Sequence, residues 1–172
     1  VLGRMGMTSE VIRHEDYRPG CLDGFDLVIV GPGPGDPREG DNPKMARLRE
    51  AVAALLEEQR PFLAVCLGHQ ALCHQLGIPL AYKDIVFQGT QSPVTIDGRT
   101  ERVGFYNTFV GRVTDPEAEV PDGVRVDTDP DTGDVNALRG PHYRGLQFHA
   151  ESILTQRGYD LVHDLVVDLL LD

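Results

Sequence analysis

The sequence predicts an α/β fold: an open, mostly parallel central sheet flanked by helices, with antiparallel hairpin additions. Three observations predict it. The first half alternates short apolar runs, DLVIV at 26–30 and FLAV at 62–65, with stretches of helical period, the pattern of strands joined by crossover helices. The second half carries hairpin signals instead, Asp97-Gly98 and Asp131-Thr132-Gly133. The 172 residues, 41% hydrophobic, suffice for one core but are short for two, so a single domain over 1–172 is expected.

Each element has a local reason. DLVIV is an apolar run between turn signals, hence a buried strand. GPGPGDPREGDNP, 31–43, is too dense in Gly and Pro for helix or strand interior and must be loop. Asn42 is placed to cap the next helix, with Pro43 at its first position, where the missing N–H costs nothing. Met45, Leu48, Val52, Leu55 and Leu56 then recur at helical spacing until Pro61. FLAV is the second buried strand, and 68–76 reads as a helix stopped by Gly77. Residues 92–105 and 123–138 each span one hairpin signal, and RGLQF at 144–148 is a further strand. The closing helix presents Leu161, Leu165, Val166, Leu169 and Leu170 on one face. There is no internal repeat, low-complexity segment or domain linker.

Charge excludes some functions. Sixteen Lys and Arg against 27 Asp and Glu leave a net charge of −11. Such a surface repels phosphate backbones and anionic lipid, so neither nucleic acid nor membrane is the expected partner. No apolar run is long enough for a membrane span. Three cysteines, Cys21, Cys66 and Cys73, with no signal-peptide pattern, lead us to expect a reducing, cytoplasmic setting. The chain opens on Val1 rather than Met, which leads us to expect that it is part of a longer polypeptide.

Cys66 lies where a buried strand turns into a helix. A strand-turn-helix elbow needs small neighbours, supplied by Ala64 and Gly68, and the helix N-terminus favours thiolate over thiol. His149 and Glu151, at i and i+2 beyond a strand, point to one face, where the carboxylate can orient the imidazole. GPGPGDP, 31–37, follows a strand end on the same edge, where ligands of such sheets bind. Its glycines let backbone N–H groups approach a ligand oxygen, as an oxyanion hole requires. A phosphate loop fits less well: there is no G-x-x-x-x-G-K-[ST], and Pro32 and Pro34 lack donors. A zinc site from Cys66, His69 and Cys73, with His74 or His149, is the alternative, though the spacing matches no common paired-ligand pattern. Cys21 and Cys73 are expected to pack, and His14, His142 and His163 have no evident partner in sequence.

Together, GPGPGDP, AVCLGHQAL (64–72) and GLQFHAES (145–152) resemble the class I, triad-type glutamine amidotransferases, in order and spacing across nearly the whole chain. The resemblance implies a flavodoxin-like sheet, with Cys66 as nucleophile, His149 as base and Glu151 as the acid that orients it. It implies the backbone N–H groups of Gly33 and Leu67 as oxyanion donors and Gln70 as a glutamine contact. YNTF, 106–109, aligns with the stretch that holds the glutamine α-carboxylate, so Thr108 and Phe109 are implied contacts; Gln88 and Gln91 follow more weakly. Two departures are Ala64 for the usual Gly and FHAE for the usual FHPE. KDIVFQGTQ and VGFYNTF are similar to the amidotransferase half of fused chorismate-aminating synthases, those making 2-amino-2-deoxyisochorismate for phenazines or anthranilate. The family's first strand and the segment after it look missing or shortened before LGRMGMTSEVIRH. The resemblance implies L-glutamine as substrate and a chorismate-binding synthase domain as partner. It implies no cofactor in these residues, Mg2+ in the synthase domain, and oligomerisation through that domain. A stand-alone Cys-His hydrolase of γ-glutamyl peptides and a non-catalytic regulatory module are the other classes weighed.

Overall fold

The computed structural model describes residues 1–171. After a 3-10 turn at Leu2–Met5 come β1 (Val28–Val30), α1 (Pro43–Glu57), β2 (Phe62–Val65), α2 (Leu67–Gln75), β3 (Leu80–Tyr82), β4 (Thr90–Ile96) and β5 (Arg99–Phe105). Then follow β6 (Phe109–Gly111), α3 (Pro116–Glu119), β7 (Arg125–Thr128), β8 (Val135–Arg139), β9 (Tyr143–Leu146) and α4 (Gly158–Leu171).

The main sheet has the order β1-β2-β9-β8-β7. β1, β2 and β9 pair in parallel, with Val30 opposite Ala64 and Ala64 opposite Gly145. β8 and β7 extend it antiparallel, so the hairpin turning at 131–133 belongs to the main sheet. The Asp97-Gly98 hairpin instead forms its own ribbon of β4 and β5. Both turn residues have positive φ, 47° and 77°, as the two-residue turn matched to strand twist requires. β3 and β6 make a small third sheet that the sequence did not mark.

β2 explains why FLAV reads as a continuous apolar run. Phe62 and Ala64 enter one core, with Val52, Leu55, Leu72, Val135 and Leu138. Leu63 and Val65 enter the other, with Val103, Phe105, Leu146, Phe148 and Val166. A strand covered on both faces has no polar side to alternate with. The Asn42 side chain accepts from the Lys44 N–H (3.0 Å) and the Met45 N–H (3.4 Å), and Pro43 heads α1. Gly77 takes a left-handed φ of 79° just beyond α2.

Two expectations shift. α4 buries Val162, Val166 and Leu169, with Leu161 and Leu165 partly buried, while Leu170 is 39% exposed. Its stripe is rotated toward Val162 because packing against β9 and the β4–β5 ribbon selects the i, i+4, i+7 row. β9 ends at Leu146, two residues before the expected end of that strand. The Gln147 N–H still reaches the Asn136 carbonyl (2.9 Å), but the His149 N–H turns to the Gly104 carbonyl of β5 (2.9 Å). No helix among the described residues is long and apolar enough to cross a membrane.

Candidate functional site

Cys66 immediately follows β2 at the C-terminal edge of the parallel strands, where an open α/β sheet binds ligands. Its backbone sits at φ 53°, ψ −104°, a conformation that costs an L-residue on the order of 1–3 kcal/mol. Two hydrogen bonds hold it there: Cys66 N–H to the Leu146 carbonyl (2.8 Å) and Gln70 N–H to the Cys66 carbonyl (3.0 Å). Cys66 caps α2 by position only, since its side chain makes no capping bond. The elbow depends on Gly68: a Cβ there would lie 2.1 Å from the Val30 carbonyl oxygen.

His149 arrives from the end of β9. Its carbonyl accepts from the Thr155 hydroxyl (2.6 Å), which in turn accepts from the Gly104 N–H (3.0 Å). Tyr106 stands edge-on to the ring, with centroids 5.1 Å apart. Nδ1 and Glu151 Oε1 are 2.7 Å apart, so Nδ1–H donates and Nε2 is left for the sulfur. Hydrogen bonding to Cys66, then to Glu151, lifts His149 against its partial burial to about 10. The same His149 bond holds the Glu151 carboxyl below its ordinary value. Imidazolium facing sulfur, with a carboxylate behind it, is the arrangement of an activated thiol.

The pH dependence follows with a definite sign. His149 is raised, so its contribution to stability is complete below about 6.5 and is lost as pH rises through about 10. Glu151 is lowered, so its contribution is present above the ordinary carboxylate range and lost as pH falls through its folded value. Urea unfolding of the wild type should weaken from pH 7 toward 10 more steeply than that of Glu151→Gln, which has lost part of the stabilised imidazolium. Parallel profiles would show that the pair does not couple.

Gln70 reaches Cys66 through Gln147, and the other candidate residues have neighbours of their own. Leu67 heads α2, where the first backbone N–H groups have no helical acceptor. Gly33 lies beside it: a Cβ on Gly33 would be 3.7 Å from Leu67 Cδ2. Lys44 braces that loop by donating to the Pro34 carbonyl (2.5 Å). Buried Gln70 donates through Nε2 to the Phe109 carbonyl (2.7 Å) and to Gln147 Oε1 (3.1 Å). Asn107 donates to the same Phe109 carbonyl (2.8 Å), and the Thr108 carbonyl accepts from the Lys83 N–H (2.9 Å). Arg38 stacks over the Phe109 ring at 4.6 Å. Gln88 is exposed, and Gln91 is committed to the Leu154 carbonyl (2.6 Å), which supports the loop after Glu151.

Sequence reasoning passed over Gln147 and Tyr106 as site residues. Gln147 was findable: it stands two before His149 in extended chain, hence on the same face. The zinc alternative loses its geometry. His69 is fully buried, with Nε2 3.2 Å from the Val135 carbonyl and 3.6 Å from Cys73 Sγ. Burial pushes His69 down to about 4 and Cys73 up to about 12. Among the described residues, no group of three or more His, Cys, Asp or Glu is placed to hold a metal ion. His14 and His163 have acidic neighbours, Glu15 (3.0 Å) and Asp164 (3.3 Å). A cleft of about 450 Å³ between the Asp97 turn and α4 is lined by mixed charges, among them Arg139 paired with Asp97 and Asp168, and takes in none of Cys66, His149 and Glu151.

Comparison with known proteins bears on this arrangement. The family model for glutamine amidotransferase class-I matches residues 1–169. A phenazine-specific anthranilate synthase of Pseudomonas fluorescens is 49% identical over 148 residues, covering 84% of this chain and 23% of that protein. Anthranilate synthase component II of Haloarcula marismortui is 35% identical, covering 81% of this chain and 73% of its own. A solved glutamine amidotransferase from Thermotoga maritima superposes with TM-score 0.64 at 20% identity, covering 92% of this chain and 71% of that one. The chain thus spans about a quarter of the phenazine-specific relatives and most of the separate component II. With the family model running through both the elbow and the His149 segment, the chain belongs to the class-I glutamine amidotransferases.

Proposed function

We propose that this domain hydrolyses L-glutamine to glutamate and ammonia through a thioester on Cys66, and delivers the ammonia to a chorismate-using synthase domain. One observation carries the first part: a cysteine held at φ 53° beside a histidine ring that is bonded at 2.7 Å to a carboxylate. Cys66 sulfur attacks the side-chain amide carbon, forming the C–S bond. The oxyanion is received by the N–H groups of Gly33 and Leu67, each such donor typically worth roughly 3–4 kcal/mol in the transition state. His149 gives its proton to the amide nitrogen, the C–N bond breaks and ammonia leaves. A water then gives its proton to His149 and attacks the thioester; the C–S bond breaks, glutamate departs, and thiolate and imidazolium are restored. Glu151 keeps the ring oriented throughout. Gln70, Thr108 and Phe109 position the glutamine.

The synthase assignment is supported by the 49% identity to a phenazine-specific anthranilate synthase. The favoured product is 2-amino-2-deoxyisochorismate; anthranilate is the alternative, since several relatives bear anthranilate synthase names. The synthase partner, in the same chain or as a separate subunit, would hold the Mg2+ and set the oligomer. A cytoplasmic setting, with neither nucleic acid nor membrane as partner, fits the acidic surface and reduced thiols.

A glutamine-like diazo-ketone should label Cys66 and nothing else by peptide mapping. Label on another residue, or none in the assembled synthase, overturns the mechanism. Pyruvate release from chorismate and glutamine by the complete synthase separates the products: anthranilate formation releases it, aminodeoxyisochorismate formation does not.

A further inference from the structure

We infer that Gln147 is a positioning residue of this site: its side-chain amide donates to Cys66 sulfur and ties the nucleophile to the glutamine contact Gln70. The inference rests on the proposed role of Cys66 and extends it. Gln147 is 1% exposed, and its Nε2 lies 3.8 Å from Cys66 Sγ. Its Oε1 is 3.1 Å from Gln70 Nε2. Its backbone N–H is already spent on the Asn136 carbonyl, so the side chain alone faces the site.

The direction of the amide follows from its partners. Gln70 approaches a backbone carbonyl, that of Phe109, at 2.7 Å. A carbonyl only accepts, so the Gln70 atom there must be the NH2 group. That group's second hydrogen faces Gln147, so the Gln147 atom it meets must be the oxygen. The Gln147 NH2 is thereby turned toward sulfur. Reversing it would set two NH2 groups against each other in a buried space and leave both unsatisfied. Asn107 also donates to the Phe109 carbonyl, so the chain of contacts is anchored on backbone.

A fixed N–H aimed at sulfur favours the charged nucleophile over the thiol, because hydrogen bonds to ions are the stronger ones. Gln147 therefore acts through Cys66, as Glu151 acts through His149. It also makes nucleophile and substrate contact mutually dependent. Glutamine that moves Gln70 moves the donor on the sulfur.

The test uses iodoacetamide, which reads sulfur nucleophilicity without glutamine turnover. Alkylation rates at Cys66 are followed by peptide mass between about pH 5 and 9, for wild type, Gln147→Met and Gln147→Glu. Methionine keeps the length and removes the donor; glutamate keeps the shape and, ionised, places an anion opposite the sulfur. At neutral pH the methionine variant should be slower by about tenfold, with its profile displaced upward by about one unit, and the glutamate variant slower still. If the methionine variant fails to fold, the isosteric glutamate variant decides. A folded variant whose profile matches wild type overturns the inference while leaving the glutaminase proposal intact. A wild-type Cys66 no faster than half-exposed Cys21 overturns both.

Discussion

Cys66→Ser is expected to lower glutamine hydrolysis by on the order of 10⁴-fold or more, with product formation by the complete synthase restored by added ammonium. In the proposed mechanism the sulfur supplies the covalent intermediate, and a hydroxyl in the same place would not be ionised by the His149–Glu151 pair. Ammonia release from glutamine, measured alongside ammonium-driven synthesis, separates loss of chemistry from loss of fold. A serine variant within tenfold of wild type would remove Cys66 from the mechanism. The same position has an unusual stability signature. Glycine ordinarily destabilises a regular element relative to alanine, by roughly 0.5–1 kcal/mol. At φ 53°, ψ −104° the order should invert, with Cys66→Gly about 1–2 kcal/mol more stable than Cys66→Ala in urea unfolding. Function and stability therefore compete at a single residue.

Gly68→Ala is expected to destabilise the domain by about 3–5 kcal/mol and to inactivate it. Its Cβ would meet the Val30 carbonyl oxygen at 2.1 Å and the carbonyl carbon at 2.8 Å. Both are backbone atoms of β1 and cannot rotate aside. Relief requires α2 to retreat from the sheet, which carries Leu67 away from Gly33 and opens the elbow. A urea midpoint within error of wild type would show that the helix does not make this approach. Gly145→Ala offers a comparison in which the atoms met are side chains, His69 Nδ1 at 2.6 Å and Leu138 Cγ at 2.9 Å.

The parts legible in sequence were those decided by local chemistry. Asn42 and Pro43 set the start of α1 by a side-chain acceptor and a missing donor. Asp97 and Gly98 defined a turn by the φ values they tolerate. Cys66, His149 and Glu151 could be named because an elbow and an i, i+2 pair are short-range patterns. What was hidden depends on who meets whom across the fold. Nothing in 123–138 says whether that hairpin extends the main sheet or stands alone, because pairing along β9 is a long-range choice. The α4 stripe tilted toward Val162 because the surface it lies on, not its own period, selects the row. Gln147 stayed unseen because a buried amide looks like any polar residue until Gln70 and the sulfur are brought to it. His69 could be weighed as a metal ligand beside two cysteines, although the spacing matched no common pattern. Only its burial against the Val135 carbonyl makes it a neutral packing residue.

The sealing of Cys73 also determines how this protein would fail. It has no exposure, and burial holds it as S–H up to about 12, beyond the reach of electrophiles and peroxides that require thiolate. Cys21 lies in an irregular segment that carries neither the sheet nor the site. The oxidation that would matter is therefore that of Cys66, whose loss would silence the proposed chemistry and leave the scaffold standing. An ageing molecule would go inactive before it came apart.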